Sequence, residues 1–349
     1  MSYKISSFNC KNLENDSTRL KKIVEIINAN FLSMILLQEF AWNGGEQDKI
    51  DKYSRIMKFP YKNWKIKTFR MSWKGKAGEN WFKKRKTPEN IIDDTDGEYL
   101  RNPRNDTGYA IAYDSSVFET KDMGYSVRWK QILEERNGKH NLARPPQIEM
   151  FRLAENKGSE FAVLNLHLTY SGEFDVVKRP FVNNFLPYDG LNKNLKARVD
   201  EIADIFDLYK KVNNFSTRGV HRPTLIGGDF NLSPGYLQYI EKSIAMMKSS
   251  DKINSIAEYN DNYINKRDVT VDFNKLSLFN EQKTTLHKTV KSERPNYFFN
   301  SYDHFILNVG GGNSAPIDTV KTLYEGNNEK HYKELSDHVP IYIELNFKY

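Results

Sequence analysis

The chain has 349 residues, of which 39% are apolar, and it carries a net charge of +7 with a pI of about 9.0. This length provides for a sizeable core and allows one large domain or two small ones. The positive charge favours a polyanionic partner, either nucleic acid or an anionic membrane surface. The single cysteine, Cys10, excludes an intramolecular disulfide and reads as a small buried core residue. No apolar run approaches the ~20 residues of a membrane span, so we expect no stable membrane insertion.

The first elements in chain order are a strand, a helix and a strand. Alternating residues predict a strand over 3–10, helical spacing behind Asp16 and Ser17 predicts a helix over 15–31, and a short apolar run predicts a buried strand over 33–40. Because the first strand begins almost at once, it leaves no room for a signal peptide, which predicts a cytoplasmic protein. Residues 43–105 are rich in Lys, Asn, Gly and Trp and are predicted to be a long, partly irregular insertion.

Strand patterns resume after this insertion, and one clear amphipathic helix follows. The helix is predicted over 194–212, where a single apolar stripe runs along one face. A mixed, polar second insertion covers residues 235–298. The predicted strands are 108–118, 147–153, 160–168, 223–230, 302–309 and 339–347. With no internal repeat or linker, the pattern predicts a single α/β domain over 1–349 with two long insertions.

Polar side chains cluster at the ends of these predicted strands. If several strands meet at one rim of a sheet, these groups form a single pocket, as functional sites usually do. Taken singly they have ordinary interpretations: Asp229 as a turn residue or helix cap, His167 as a hydrogen-bonded, half-buried histidine. These interpretations do not explain why so many polar residues occur together, one after another, at the ends of successive strands. The residues are Asn9, Glu39, His167, Asp229, Asn231, Asp303, Asp337 and His338.

Six short segments resemble, in order, the motifs of the endonuclease/exonuclease/phosphatase superfamily, which includes pancreatic deoxyribonuclease and exonuclease III. The segments are FNCKNL, LLQEF, LNLHL, GGDFN, SYDHFIL and LSDHVPIYIEL. The resemblance extends over nearly the whole chain, and GDFN and SDHVP are its most specific parts. It implies an α/β fold: a four-layered α/β/β/α sandwich of two mainly antiparallel sheets flanked by helices.

The resemblance also implies roles for individual residues. It makes Asn9, Glu39 and Asp337 metal-binding positions, and it matches Arg144 to the phosphate-contacting arginine of the deoxyribonuclease branch. That branch has a glutamate beside its first histidine, where this chain offers only Asp106 or Thr107. We interpret His304, which follows Asp303, as non-catalytic. The catalytic residues implied are His167, Asp229, Asn231, Asp303 and His338.

These residue types suit the hydrolysis of a phosphodiester. Carboxylate and amide oxygens favour Mg²⁺, with Mn²⁺ as a substitute, and no Cys/His cluster indicates zinc. We hypothesise that Asp229 activates the attacking water and that Asn231, two positions on, shares its face of an extended segment and holds a phosphate oxygen or water. His338, kept protonated by Asp303, would stabilise the transition state. His167 would donate a hydrogen bond to a phosphate oxygen or protonate the leaving group.

The substrate prediction depends on charge and on the first insertion. Its basic residues alternate with Trp73, Trp81 and Phe82, a composition that suits binding to phosphates and bases. The leading hypothesis is a Mg²⁺-dependent DNA endonuclease that nicks with little sequence preference. Three alternatives remain: a solvated loop without this role, a phosphodiesterase or phosphatase acting on phospholipid or phosphoinositide headgroups, and an inactive nucleic-acid-binding protein. The insertions also suit protein partners. The predicted nucleic-acid-binding residues are Lys74, Lys76, Lys83, Lys84 and Arg85.

Overall fold

The computed structural model describes twelve strands and helices together with the turns that join them to the site. The described residues are 2–11, 13, 16–40, 63–71, 107–120, 146–155, 160–168, 205, 224–231, 302–308, 321–322, 331 and 335–346.

The first sheet has six strands in the order β10-β11-β1-β2-β4-β3. Only the β1–β2 pair is parallel; the other four pairs are antiparallel. The parallel pair follows from the strand–helix–strand opening of the chain, because a helix carries the chain back to the start of the sheet. The strands are β1 Ser2–Asn9, β2 Met34–Gln38, β3 Trp64–Met71, β4 Thr107–Asp114, β10 Lys321–Thr322 and β11 Ile341–Asn346.

The second sheet has five strands in the order β5-β6-β7-β8-β9. The β7–β8 pair is parallel and the other three pairs are antiparallel. Each sheet therefore has one parallel pair in an otherwise antiparallel arrangement, as the fold prediction requires. The strands are β5 Phe118–Thr120, β6 Gln147–Leu153, β7 Glu160–His167, β8 Thr224–Asp229 and β9 Asp303–Asn308.

The two sheets pack face to face over a core of aromatic and branched side chains. In this core Ile5 and Leu36 of the first sheet join Phe151, Val163 and Phe305 of the second. Because side chains alternate along a strand, every second residue faces this core. The other face of the first sheet is covered by a helix, so successive residues of β1 and β2 are buried on both faces.

Helix α1 covers the outer face of the first sheet. It spans Ser17–Ala29, inside the predicted range 15–31, and the side chain of Asp16 caps it by accepting hydrogen bonds from the backbone N–H groups of Thr18 and Arg19. Leu20, Ile23, Val24 and Ile27 are its buried residues, and they pack in a core cluster with Phe8, Ile35 and Leu37. In the part of the chain described, no helix has the length and apolar character to cross a membrane.

The strands differ from the sequence prediction in three places. Trp64–Met71 form the regular edge strand β3, paired along its length with β4, inside the range predicted to be a partly irregular insertion. The predicted strand 108–118 is two strands, because the chain turns after Asp114 and passes from the first sheet to the second. The short strand β10 was not predicted. The helix predicted over 194–212 lies outside the described residues apart from Ile205, which is helical and buried, and residues 235–298 lie outside them entirely.

Candidate active site

The polar residues lie where the inner faces of both sheets end. On β1, Asn9 has the same strand parity as Ile5, and on β8, Asp229 has the parity of Leu225, so both side chains continue the inner face of their sheet. The register places His167 beside Asp229, and Asp229 beside Asp303. The alternation of the strands therefore brings these side chains together at one end of the two sheets.

Asp229 lies at the centre of this cluster and is 1% exposed. Its Oδ2 accepts a hydrogen bond of 2.9 Å from Asn9 Nδ2 and lies 3.6 Å from the Nε2 atoms of both His167 and His338. Its Oδ1 accepts a 2.7 Å hydrogen bond from the backbone N–H of Asn231. The imidazole of His167, at the end of β7, and that of His338, in the loop before β11, thus flank one oxygen of a single buried carboxylate.

His338 and Asp303 form a hydrogen-bonded pair. His338 Nδ1 lies 2.8 Å from Asp303 Oδ2, and Asp303 is fully buried. Burial opposes protonation of the imidazole, but the charges of Asp303 and then Asp229 outweigh it and raise the pKa of His338 to about 10. At neutral pH His338 is therefore an imidazolium that directs Nε2 toward Asp229.

The pKa of Asp229 lies close to neutral pH. Burial raises its pKa to about 7, against the attraction of His338, with Asp303 adding to the rise and the hydrogen bonds from Asn9 and Asn231 opposing it. A carboxylate with such a pKa is a proton acceptor matched to neutral pH. Strong pKa shifts caused by burial and specific neighbours are typical of functional sites.

Asn9 and Glu39 present oxygen atoms beside this cluster. Asn9 Nδ2 lies 3.4 Å from Glu39 Oε1, which in turn lies 3.7 Å from His167 Nε2. The Glu39 side chain is 20% exposed, so ions in solution reach it. Asn9 Oδ1 accepts the N–H of Lys11 with a distance of 2.9 Å, which leaves its second lone pair for another partner. These hard oxygen donors fit a divalent cation such as Mg²⁺.

Asp337, the third predicted metal ligand, has a cation beside it in this structure. Its Oδ2 lies 3.2 Å from Lys11 Nζ. The pair lies at the rim of the site, with Asp337 37% exposed. Asp337 therefore pairs with Lys11 in this structure, and its role as a metal ligand stays a prediction.

Asp229, Asp303 and His338 each place one potential ligand atom within 4.8 Å of the other two. This trio is a poorer metal site than its spacing indicates. A protonated imidazole has no lone pair to donate, and Nδ1 of His338 already lies against Asp303. We interpret it as a charge-stabilised acid–base group.

The backbone after β8 corrects one part of the sequence interpretation. Asn231 has a φ of 49°, so residues 229–231 are not extended and the two side chains do not share a strand face. Asn231 Nδ2 instead donates a 2.8 Å hydrogen bond to the carbonyl of Leu168, which follows His167. Asn231 therefore ties the ends of two strands together, and its backbone N–H orients Asp229.

The two glycines before Asp229 stand where a side chain would not fit. Gly228 has a φ of 152°, and a Cβ there would lie 1.9 Å from the carbonyl oxygen of Leu166. A Cβ at Gly227 would lie 2.7 Å from the side chains of Leu36 and Phe305. Both glycines let β8 pack closely against its neighbours, and this packing sets the position of Asp229.

A buried amide network lies between the apolar core and the site. Gln38 Nε2 donates to Asn165 Oδ1 over 2.7 Å and to Ser7 Oγ over 3.1 Å. Asn165 Nδ2 donates to the carbonyls of Leu37 and Ala110 at 3.0 and 3.1 Å. These bonds join the two sheets one residue before Glu39 and two residues before His167. Sequence reasoning missed this network, although Gln38 and Asn165 stand inside the quoted motifs.

Glu39 itself has a strained backbone, with a φ of 51°. For a residue with a Cβ this left-handed conformation costs roughly 1–2 kcal/mol, and such strain is concentrated at functional sites. The Glu39 carbonyl accepts the N–H of Leu13 over 2.9 Å, which helps to fix the turn. The strain arises because β2 ends at Gln38 and the backbone turns at Glu39, which directs the Glu39 side chain toward Asn9.

The deoxyribonuclease branch has a glutamate beside the histidine that corresponds to His167. In this chain a tyrosine holds the backbone of His167. The hydroxyl of Tyr109, which is fully buried, accepts the backbone N–H of His167 over 3.1 Å. Asp106 and the side chain of Thr107 are outside what the structure describes. His304 is buried and packs its ring edge-on against Phe230, with 5.5 Å between ring centroids, and its interpretation as non-catalytic stays a prediction.

Some predicted binding residues cannot be placed. The phosphate-contacting candidate Arg144 lies outside the described residues, as do the candidate nucleic-acid contacts of the first insertion. These contacts, Lys74, Lys76, Lys83, Lys84 and Arg85, remain predictions.

Cys10 is buried, which raises the pKa of its thiol and agrees with its interpretation as a core residue.

The two facing, mainly antiparallel sheets match the fold of a solved endonuclease/exonuclease/phosphatase protein. An endonuclease/exonuclease/phosphatase protein from Bacteroides vulgatus is 14% identical, with a TM-score of 0.51 and 100% of each chain covered. Humanized D. rerio TDP2 is 10% identical, with a TM-score of 0.48 and 99% of each chain covered.

A mannosyl-6-phosphatase from Bacteroides thetaiotaomicron VPI-5482 is 16% identical with a TM-score of 0.48, and the match covers 99% of this chain and 100% of that one. No protein-family model and no curated protein sequence matches the chain. The likeness to solved structures therefore concerns the fold, and the activity has to be argued from the site.

Proposed function

We propose that the protein is a divalent-metal-dependent hydrolase of phosphoester bonds. The observation that carries this proposal is the position of Asp229, buried between the Nε2 atoms of His167 and His338 at 3.6 Å from each. A buried carboxylate flanked by two imidazoles and an oxygen-rich neighbour suits the activation of water beside an anion. The name of the B. vulgatus protein, which covers nucleases and phosphatases, supports the same class of reaction.

In this proposal Asp229 accepts a proton from the attacking water. Its raised pKa, about 7, makes it an effective base near neutral pH. Asn9 and the backbone N–H of Asn231 hold the carboxylate in place through its two oxygens. Because both oxygens are hydrogen-bonded, the carboxylate cannot rotate freely, and the base is oriented before the substrate arrives.

The two histidines act on the phosphate. His338, held protonated by Asp303, places a positive charge where negative charge increases in the transition state. His167 donates a hydrogen bond to a phosphate oxygen or to the leaving oxygen. His167 is held at the end of β7, where its backbone N–H bonds Tyr109, and His338 is held in the loop before β11 by its bonds to Asp303 and Ser336.

Asn9 and Glu39 would hold the metal ion, with Asp337 completing the set. Mg²⁺ is the proposed ion and Mn²⁺ its substitute, because all three residues offer oxygen. The chemistry that such an ion supplies is charge neutralisation of the phosphate and a lower pKa for bound water.

Within this class of hydrolases we propose a cytoplasmic DNA endonuclease that nicks with little sequence preference. The net charge of +7 supports a polyanionic substrate, and the sequence of the first insertion offers basic and aromatic residues for it. A phospholipid or phosphoinositide headgroup would use the same site, so the substrate must be tested directly.

The test is incubation of purified protein with supercoiled plasmid and Mg²⁺. We expect nicked or linear product that disappears with EDTA and in the His338→Ala variant, which should lose activity by orders of magnitude while remaining folded. An intact plasmid together with hydrolysis of an inositol phosphate or phospholipid would replace the DNA proposal. Near-normal nicking by folded His338→Ala would overturn the assignment of the site.

A further inference from the structure

Arg19 joins the two loops that carry the proposed metal ligands. Its Nε donates a 2.9 Å hydrogen bond to the carbonyl of Leu335, and its Nη2 donates to the carbonyl of Lys11 over 3.2 Å and also to that of Cys10. Residues 10–11 directly follow Asn9, while Leu335 is two residues before Asp337. One guanidinium therefore spans the loop after β1 and the loop before β11.

The position of Arg19 is otherwise unfavourable. It lies in the first turn of α1, where Asp16 Oδ1 accepts its backbone N–H over 3.0 Å. The helix dipole disfavours a positive charge at this end. Hydrogen bonds from the guanidinium to backbone carbonyls offset this unfavourable interaction. Because the guanidinium is planar and has several donors in fixed directions, it reaches carbonyls of two segments at once.

Other bonds connect the same two loops. Ser336 Oγ donates a 2.7 Å hydrogen bond to the carbonyl of Asn9 and accepts the backbone N–H of His338 over 3.1 Å. Lys11 Nζ lies 3.2 Å from Asp337 Oδ2. These contacts lie close to the site, and Arg19 joins the same two loops from helix α1.

We propose that Arg19 is a positioning residue that sets the spacing between Asn9 and Asp337, and with it the affinity of the site for its divalent ion. It contacts neither the ion nor the substrate. The inference deepens the proposed function and rests on it for the identity of the ligands, while the contacts of Arg19 are independent of it.

The test uses Arg19→Gln, with Lys21→Gln as matched control. Lys21 is exposed on the same helix, so its replacement removes the same charge without the carbonyl contacts. Mn²⁺ binding to the full chain is followed by calorimetry or electron paramagnetic resonance. Because residues that orient ligands typically affect metal affinity 10–100-fold, we expect Arg19→Gln to lose at least about tenfold and Lys21→Gln to stay within about twofold of wild type.

A second measurement needs no metal. Hydrogen exchange followed by mass spectrometry should show faster exchange in the segments containing residues 10–11 and 335–338 in metal-free Arg19→Gln, with Lys21→Gln unchanged. If Arg19→Gln fails to fold, Arg19→Lys replaces it, with an intermediate loss of affinity expected because a lysine cannot reproduce the fork.

The outcomes separate the two proposals. Wild-type Mn²⁺ affinity and unchanged exchange in a folded Arg19 variant would overturn the positioning role, as would equal losses in Lys21→Gln. If the wild-type protein neither binds Mn²⁺ nor hydrolyses a phosphoester, the proposed function fails, and with it the claim about metal affinity. Faster exchange in Arg19→Gln would then show only that Arg19 joins the two loops.

Discussion

At the scale of single residues, the site is a set of charges that control one another. Asp303 is fully buried and hydrogen-bonded to His338, and His338 in turn lies within ion-pair distance of Asp229. An isolated buried charge is costly, so each of these groups depends on its neighbour. The protonation of His338 is the consequence that is most open to measurement.

We predict that Asp303→Asn lowers the pKa of His338. In the wild-type protein the pKa is about 10, above the ordinary 6.5, because the two aspartates outweigh the effect of burial. NMR titration of the imidazole in metal-free protein should show it protonated through neutral pH, and in Asp303→Asn the midpoint should fall toward 6.5. An unchanged midpoint would contradict the pairing.

The same shift affects stability, and its sign follows from linkage. Since the folded pKa is higher than the unfolded one, the contribution of His338 is fully present below about pH 6.5 and is lost as the pH rises through about 10. The pH dependence of the free energy of unfolding in this window should therefore be steeper for the wild-type protein than for Asp303→Asn. Equal slopes would indicate that the pair does not stabilise the fold.

The two glycines before Asp229 should differ in their tolerance to alanine. At Gly228 the new Cβ meets a backbone carbonyl at 1.9 Å, which cannot move cheaply, whereas at Gly227 it meets only side chains. We expect Gly228→Ala to destabilise by roughly 3 kcal/mol or more and Gly227→Ala by about 1–2 kcal/mol. Urea unfolding measures both, and the reverse order would contradict the packing described.

At the scale of elements, strand alternation determines what each face does. Ile5 and Asn9 share the inner face of β1, and Val163, Asn165 and His167 share that of β7. Along this face of β7 the side chains therefore change from apolar to amide to imidazole. The amide step is the one that links the sheets, because Gln38 of one sheet bonds Asn165 of the other.

Replacing Asn165 tests the amide network. Asn165→Ala removes the donors to two buried carbonyls and the acceptor for Gln38, and unsatisfied buried groups are costly. We expect a loss of roughly 3 kcal/mol in the free energy of unfolding. The matched control is Asn30→Ala at the end of α1, where one part-buried bond to Ile26 is lost and the cost should be about 1 kcal/mol. Equal effects of the two variants would argue against the network.

Much of the described architecture could be predicted because its strands are short, apolar and bounded by polar turns. The pairing of β6 with β7 and the helix after β1 follow from patterns within the chain. The split of 108–118 between two sheets could not be predicted, because Ser115 and Ser116 resemble an ordinary polar interruption. β3 was missed since its Lys and Arg residues hide the apolar alternation of an edge strand.

The site shows the same division. Residues at strand ends were found by their position, and the structure brings Asn9, Glu39, His167, Asp229, Asp303 and His338 together. The geometry at Asn231 was missed, because a left-handed residue after a strand has no signal other than an Asn, which is common in turns. Arg19 was missed because its partners are backbone carbonyls, which the sequence does not reveal. The signal available was a cation in the first turn of a helix.

At the scale of the whole molecule, the net charge of +7 bears on the substrate. If DNA is bound, the inactive Asp229→Asn protein should still bind it, and binding should weaken by at least about tenfold between about 50 and about 200 mM salt as counterions are released. Fluorescence anisotropy with a labelled duplex measures this. Vesicles containing phosphoinositide are the comparison, and preferential binding to them would favour the headgroup alternative.

Hydrolysis of phosphoesters by Asp229 and its neighbours is the proposed reaction, whatever the natural substrate. The most direct measurement is hydrolysis of bis(4-nitrophenyl) phosphate with Mn²⁺ or Mg²⁺ by the wild-type protein and by Asp229→Asn, which keeps the shape of the side chain but removes the base. We predict metal-dependent release of nitrophenol by the wild-type protein and a loss of about 10²–10⁴-fold in the variant, the range typical of a general base. Equal rates in the two folded proteins, with or without metal, would contradict the role of Asp229 as the base.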